Sequence, residues 1–427
     1  SGRMPTKLKS VLINLGLGLV STVLFVLVME LVFPKILHKL PLSIYLGLGK
    51  DYKILGQHHK KSVIPTDYIA IVGDSHALGS GDWYLEAVKK HKLTQGDYHS
   101  AHILFNETGR DVLSFGALGS GSLRSLVLKP ISYFIYFNSL RDFKLKSPRE
   151  ILVYFFEGND LSDNTYAIEK RFRVGYDMDR LYDPKYFKVF IKKEILGTDP
   201  LYTGEVPFKN WLFSRFLVES VSDNVYNELR RGIKKLKKFV IGLFRVSPVA
   251  AEEIRVSPNF SGMVSKTDSD MALIDGKEFP FPYTTQQPAL NLTEEQTKQA
   301  YYVFEQSVRY MADFFHESKI TIVYIPSPIS VYQWVSPMLT ILAPQGKLTF
   351  SSGKIYQRSD EIFKHIETIA RKYNIPLIDT RPFLRAKALK EAVHGPRDWY
   401  HPNRKGYEAI ARAILENTSF GKETQKD

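Results

Sequence analysis

Tyr68-Ile69-Ala70-Ile71-Val72-Gly73-Asp74-Ser75-His76 decides the fold. An apolar, β-branch-rich run breaks off at a small polar turn, which reads as a strand over 68–72 with a serine just past its C-terminal end. Two further segments share the design: 111–115 ends at Gly116, and 150–156 ends at Gly158-Asn159-Asp160. Strands apolar on both faces belong to a parallel sheet covered by helices. Helical spacing over 99–108, 123–140, 294–317, 359–373 and 402–415, with strands over 320–325 and 376–378, completes the alternation. The expected class is therefore α/β: a three-layer α/β/α sandwich with a parallel sheet. Its core halves fall at 66–160 and 294–418, after a linker at 34–65 and before a polar tail at 419–427. Between 161 and 293 the alternation fails, and this stretch reads as a large insertion or cap beside the strands' C-terminal edge. Open α/β sheets place their sites at that edge.

The chemistry-bearing residues gather there. Near the other end of the chain, Asp398-Trp399-Tyr400-His401-Pro402 sets a carboxylate three residues before a histidine. A hydroxyl, an imidazole and a carboxylate are the minimum set that turns a serine into a nucleophile, so Ser75, His401 and Asp398 are the candidate catalytic residues. Asp160, Asp163 and Asp379 could stand in for Asp398, and Asp160 could instead support Asn159 as an acceptor. His76, Trp334 and Trp399 flank these segments as candidate substrate contacts, since aromatic faces can stack on sugar rings; buried packing explains a tryptophan equally well. Ser327, after the 320–325 strand, lies on the same edge. His99 and His102 share a helix face, but no partner ligands stand out, so no metal is expected; a solvated or capping pair is the simpler reading. His58-His59 reads as surface. No cofactor motif is present.

The 427 residues are 44% apolar and 24% charged, an ordinary globular composition with a net charge of +13 and no cysteine. Disulfides and thiolate metal sites are excluded. The positive charge is scattered and lacks any nucleic-acid signature, so a membrane surface or an anionic glycan suits it better. Ser1-Gly2-Arg3 ahead of Met4 reads as an expression scar, part of a short tail at 1–10. From 11 to 33 the chain is apolar long enough to span a bilayer, which takes ~20 residues. Lys7 and Lys9 precede this span and no small-residue cleavage site follows, so an uncleaved transmembrane signal anchor is expected, with the body outside the cytoplasm. A buried core helix is the alternative. Within 161–293, Leu229, Ile233, Leu236, Val240 and Leu243 recur at helical spacing among lysines and arginines; such a helix can lie on anionic lipid or simply pack with a solvated basic face.

Four blocks in order resemble the SGNH hydrolase superfamily, also called GDSL-type esterases. Gly73-Asp74-Ser75 matches the first, Ser114-Phe115-Gly116-Ala117-Leu118-Gly119 the second, Glu157-Gly158-Asn159-Asp160 the third, and Asp398 to His401 the fourth. Ser114 stands where the family usually has asparagine, and Glu157 where it has glycine. The resemblance implies a flavodoxin-like sheet, Ser75 as nucleophile, and an oxyanion hole from the Ser75 and Gly119 backbone N–H groups with the Asn159 side chain. His76 after the serine looks like the variant in SGNH domains linked to envelope polysaccharide acylation. The implied activity is a serine esterase or deacylase acting on acylated carbohydrate or lipid, anchored to a bacterial inner membrane with its catalytic domain in the periplasm. An O-acyltransferase with the same triad is the close alternative, and a non-catalytic polysaccharide-assembly protein the third. The implied partners are the substrate, the membrane and other polysaccharide-acylation proteins, without nucleic acid.

Overall fold

The computed structural model describes residues 6–40, 45, 50–82, 99–119, 121–140, 143–205, 270–281, 289–343 and 346–420. The basic amphipathic segment at 229–243 lies outside these residues. Five parallel strands form the central sheet: β1 (Tyr68–Val72), β2 (Asp111–Ser114), β3 (Glu150–Phe156), β6 (Lys319–Ile325) and β10 (Leu377–Asp379). Their order is β2-β1-β3-β6-β10, the doubly wound arrangement with its switch point between β1 and β3. Register is regular: Ile71 lies beside Ser114 on one side and Leu152 on the other.

Strand periodicity divides the apolar residues between two cores. Ala70, Val72, Ile151, Val153, Phe155 and Tyr324 face one layer, while Ile69, Ile71, Leu152, Tyr154, Phe156 and Val323 face the other. The first core is covered by α5 (Glu294–Phe314) and α6 (Ser352–Lys372), the second by α3 (Ser100–Thr108) and α8 (Arg404–Asn417). This is a three-layer α/β/α arrangement. Helix α6 begins seven residues earlier than its periodicity suggests, because the Ser351 hydroxyl accepts the Lys354 N–H and caps a polar first turn.

Several stretches that read as irregular are built into this frame. Residues 57–59 run along the open edge of β2. The Gln57 amide exchanges two hydrogen bonds with Ser114, at 2.7 and 2.8 Å, and the Val112 N–H donates to His59 O at 2.9 Å. An otherwise exposed edge strand is thereby covered. Helix α4 (Asp160–Ala167) and the turns after it bury Leu161, Ile168, Phe172, Phe187, Phe190 and Leu196 in the first core. Strands β4 (Asp270–Ile274) and β5 (Lys277–Phe281) form a hairpin joined by β7 (Gln333–Trp334), and β8 (Met338–Ala343) pairs with β9 (Gly346–Ser351).

The apolar N-terminal stretch is one continuous helix, α1 (Thr6–Ile36), with Ile13, Leu15, Leu19 and Phe25 exposed. Among the described residues no helix is long and apolar enough to cross a membrane, the side chains at 6–12, 22, 26, 29–31 and 33–34 of α1 lying outside that set.

Candidate active site

Three adjacent strand ends and one late loop build the site. β1 ends at Gly73, whose φ of +148° and tight approach to Tyr154 O leave no room for a side chain. The chain then turns into α2 (Ser75–Leu78), with Asp74 as N-cap accepting the His76 N–H at 2.8 Å. Ser75 therefore opens a helix directly past the sheet edge.

The loop after α7 (Arg381–Ala388) brings in the other two groups. His401 Nε2 lies 2.8 Å from Ser75 Oγ, and His401 Nδ1 lies 2.7 Å from Asp398 Oδ2. The second Asp398 oxygen accepts the Tyr400 and His401 backbone N–H groups at 2.9 and 3.2 Å, fixing the carboxylate. Burial pulls His401 down, but the charge and hydrogen bond of Asp398, with Asp74 adding, more than offset it, so its pKa lies above the ordinary imidazole value. Burial pushes Asp398 up, and the imidazole with the two backbone donors outweighs this, holding the carboxyl below its usual range. The structure thus unites Ser75, His401 and Asp398, residues drawn from opposite ends of the sequence. Ser75 Oγ also stands 3.4 Å from Asp74 Oδ2, a weaker contact than the one to His401.

Gly119 follows β2, with φ of +56° and open space where a side chain would project. Asn159 follows β3, on the other side of β1. Its amide donates to Asp163 Oδ2 at 3.2 Å, while Asp160 accepts the Phe156 N–H. The acceptor beside Asn159 is thus Asp163 and not Asp160, because one helical turn brings the fourth residue on back over the first. Burial pushes Asp163 up to about 7, with the charge of Asp74 adding.

The substrate-contact candidates are placed differently. His76 is fully buried, its ring stacked 3.7 Å from that of Phe156 and its Nδ1–H directed to Asp74. It stands inside the wall of the site and presents no face to a substrate. Burial outweighs the neighbouring carboxylate and keeps its pKa low. Trp399 and Trp334 are partly buried in one aromatic cluster around Phe281, at 4.7 and 5.3 Å. The β4–β5 hairpin thereby props the loop that carries Asp398 and His401. Asp379 pairs with Arg381, and Ser327 is buried, its N–H directed to Glu157. His99 is not solvated. It caps α3 through Nδ1, and its Nε2–H donates to Ala77 O at 2.9 Å behind the Ser75 turn. His58, His59 and His102 pack beside it, and burial lowers the pKa of all four. Among the described residues no group of three or more histidine or acidic side chains is arranged to hold a metal ion.

Two supports escaped the sequence reading. Asp82 accepts the Arg397 and Asp398 N–H groups at 3.0 and 2.7 Å, tying the turn that carries Asp398 to the segment after Ser75. Glu157, fully buried, accepts from Tyr324, Ser327, Ser330 and Ser359 and so forms an internal post between β6, the turn after it and α6. Neither has a local signature, since every one of these partners lies at least 167 residues away in the sequence. A cavity of about 740 Å³ lies between α5 and α6, lined by Tyr182, Tyr301, Lys298 and Arg358, and holds none of the three central residues.

No curated protein matches the chain. Residues 290–414 match the family model described as GDSL-like Lipase/Acylhydrolase, a span that includes β6, β10, Asp398 and His401 but not Ser75, Gly119 or Asn159. The match supports the SGNH hydrolase superfamily, with an esterase or acyltransferase type of activity, through a similarity carried by the second half of the core.

Proposed function

We propose that the protein is a membrane-anchored serine esterase or deacylase that removes acyl groups from carbohydrate or lipid outside the cytoplasm. The observation that carries this reading is the continuous Ser75–His401–Asp398 chain of contacts at 2.8 and 2.7 Å. In this reading neutral His401 takes the Ser75 proton at Nε2 as Oγ attacks the ester carbonyl. Asp398 holds the Nδ1–H tautomer and stabilises the imidazolium that forms. The carbonyl oxygen gains negative charge and is met by the Ser75 and Gly119 N–H groups with the Asn159 amide, one such donor being worth ~3–4 kcal/mol. The imidazolium then protonates the departing alcohol, leaving an acyl-serine. Water, deprotonated by the same histidine, then attacks the acyl-serine carbonyl, and His401 returns that proton to Ser75 Oγ as the free acid leaves.

The anchor reading is supported by the 31-residue helix α1, its exposed apolar side chains, and the lysines at positions 7 and 9 ahead of its apolar run. It places the body on the periplasmic side of a bacterial inner membrane, where acylated polysaccharide and its acylation proteins are the partners proposed. The identity of the acceptor is tested by supplying an activated acetyl donor with and without envelope polysaccharide and following both products by mass spectrometry. Free acetate as the main product in both arms is expected. Acetylated glycan formed in preference to acetate would replace the esterase by an O-acyltransferase using the same residues.

A further inference from the structure

The three proposed oxyanion donors come from three separate segments, so something must fix their spacing. A donor contributes fully only when held 2.7–3.1 Å from the developing oxyanion. Ser75 is set by β1 and α2. The segment after β2 is tied at its start, where the Phe115 and Ala117 N–H groups donate to Ile71 O and Gly73 O at 2.8 and 3.2 Å. Gly119 lies past these ties.

The far end of that loop meets α4. Asn164 Oδ1 accepts the Ser122 N–H at 2.7 Å, and Asn164 Nδ2 donates to Ser122 Oγ at 2.9 Å and to Ala300 O of α5 at 3.2 Å. Asn164 is fully buried, and both its amide hydrogens and its oxygen are engaged. Gly121 is pressed so closely on Asp163 and Asn164 that an added methyl would stand 2.8–3.0 Å from their atoms. The preceding residue on the same helix, Asp163, accepts the Asn159 amide. Neighbouring residues of α4 thus grip two of the three donor segments, and Asn164 also fastens that helix to α5. A fully satisfied buried polar hub of this kind fixes one geometry.

We infer that Asn164 is a positioning residue for catalysis, clasping Gly121 and Ser122, close after Gly119 in the chain, so that Gly119 and Asn159 converge on one oxygen. The inference rests on the serine acyl-transfer reading of the site. It distinguishes this residue from a buried amide that merely stabilises the fold, because a slack clasp weakens transition-state contacts while leaving ground-state binding alone.

The test uses the full-length protein and a short-chain p-nitrophenyl ester, with Asn164→Ala and the milder Ser122→Ala, which removes only one of the clasp's bonds. For Asn164→Ala, kcat should fall roughly 10- to 100-fold with KM within about twofold. Phosphonylation of Ser75 by a fluorophosphonate should slow by the same factor, since it too places negative charge on an oxygen. The pH of the ascending limb should stay in place. Ser122→Ala should show the same pattern at smaller size and decides the matter should Asn164→Ala fail to fold. A folded variant with wild-type kcat, or one whose loss lies wholly in KM, would overturn the clasp. Failure of the wild-type protein to be phosphonylated at Ser75 would instead overturn the acyl-transfer reading beneath it.

Discussion

Replacing Ser75 by alanine is expected to lower turnover of a short-chain ester by roughly 10⁴- to 10⁶-fold, with an unchanged circular dichroism spectrum and thermal transition. The size follows from the role. Without Oγ there is no acyl-serine, and only the donors and binding contacts remain to act on water. The fold should tolerate the change because, among the described residues, the hydroxyl contacts the His401 and Asp74 side chains and no backbone group. Equal rates in the two proteins would show that some other group attacks the ester.

Asp398→Asn should be almost as damaging, lowering kcat by about 10⁴-fold. The asparagine oxygen can still accept the Tyr400 and His401 N–H groups, so the turn keeps its shape. Its NH₂ then faces His401 Nδ1, where two donors cannot meet. The ring takes the other tautomer and presents Nε2–H to Ser75, unable to accept the serine proton. The pH profile carries a second signature. In the proposed mechanism His401 works as the neutral base, so the rate should rise as pH passes upward through its pKa, which Asp398 and Asp74 hold above the ordinary value. With the carboxylate neutralised, the residual activity should show that ascending limb at lower pH. A variant with an unmoved limb would mean that Asp398 does not set the histidine's protonation.

What could be read from the sequence is what is encoded locally. The strands 68–72, 150–156 and 320–325 announce themselves because both faces are buried, leaving unbroken apolar runs. Asp398 and His401 sit three apart on one turn, and Ser75 sits at a strand end, so each half of the triad has a local mark. Their meeting across 326 residues follows from the sheet order, which places β1 centrally. The supports have no such mark. Asp82 looks like any surface aspartate until its partners 315 and 316 residues away are known. Asn164 is a polar residue in a helix, and only the packing of α4 against α5 and the 119–122 loop gives it work. Gln57 and His59 occupy a stretch with no strand pattern because they pair with β2 partly through side chains. His76 adjoins Ser75 in the chain, which suggests a substrate contact, yet Asp74 and Phe156 enclose its ring. The β8–β9 hairpin escaped because it packs on a small satellite core of Ile329, Leu339, Ile341 and Ile355 and not on the main sheet.

The central claim, a covalent acyl-serine formed at residue 75, is tested most directly by trapping it. The protein would be mixed with a slowly deacylated activated ester, quenched in acid during turnover, and examined by intact and peptide mass spectrometry. A mass increase of one acyl group, confined to the peptide containing Ser75 and absent from the Ser75→Ala protein, is the predicted result. Steady turnover with no adduct, or an adduct residing on another side chain, would contradict it.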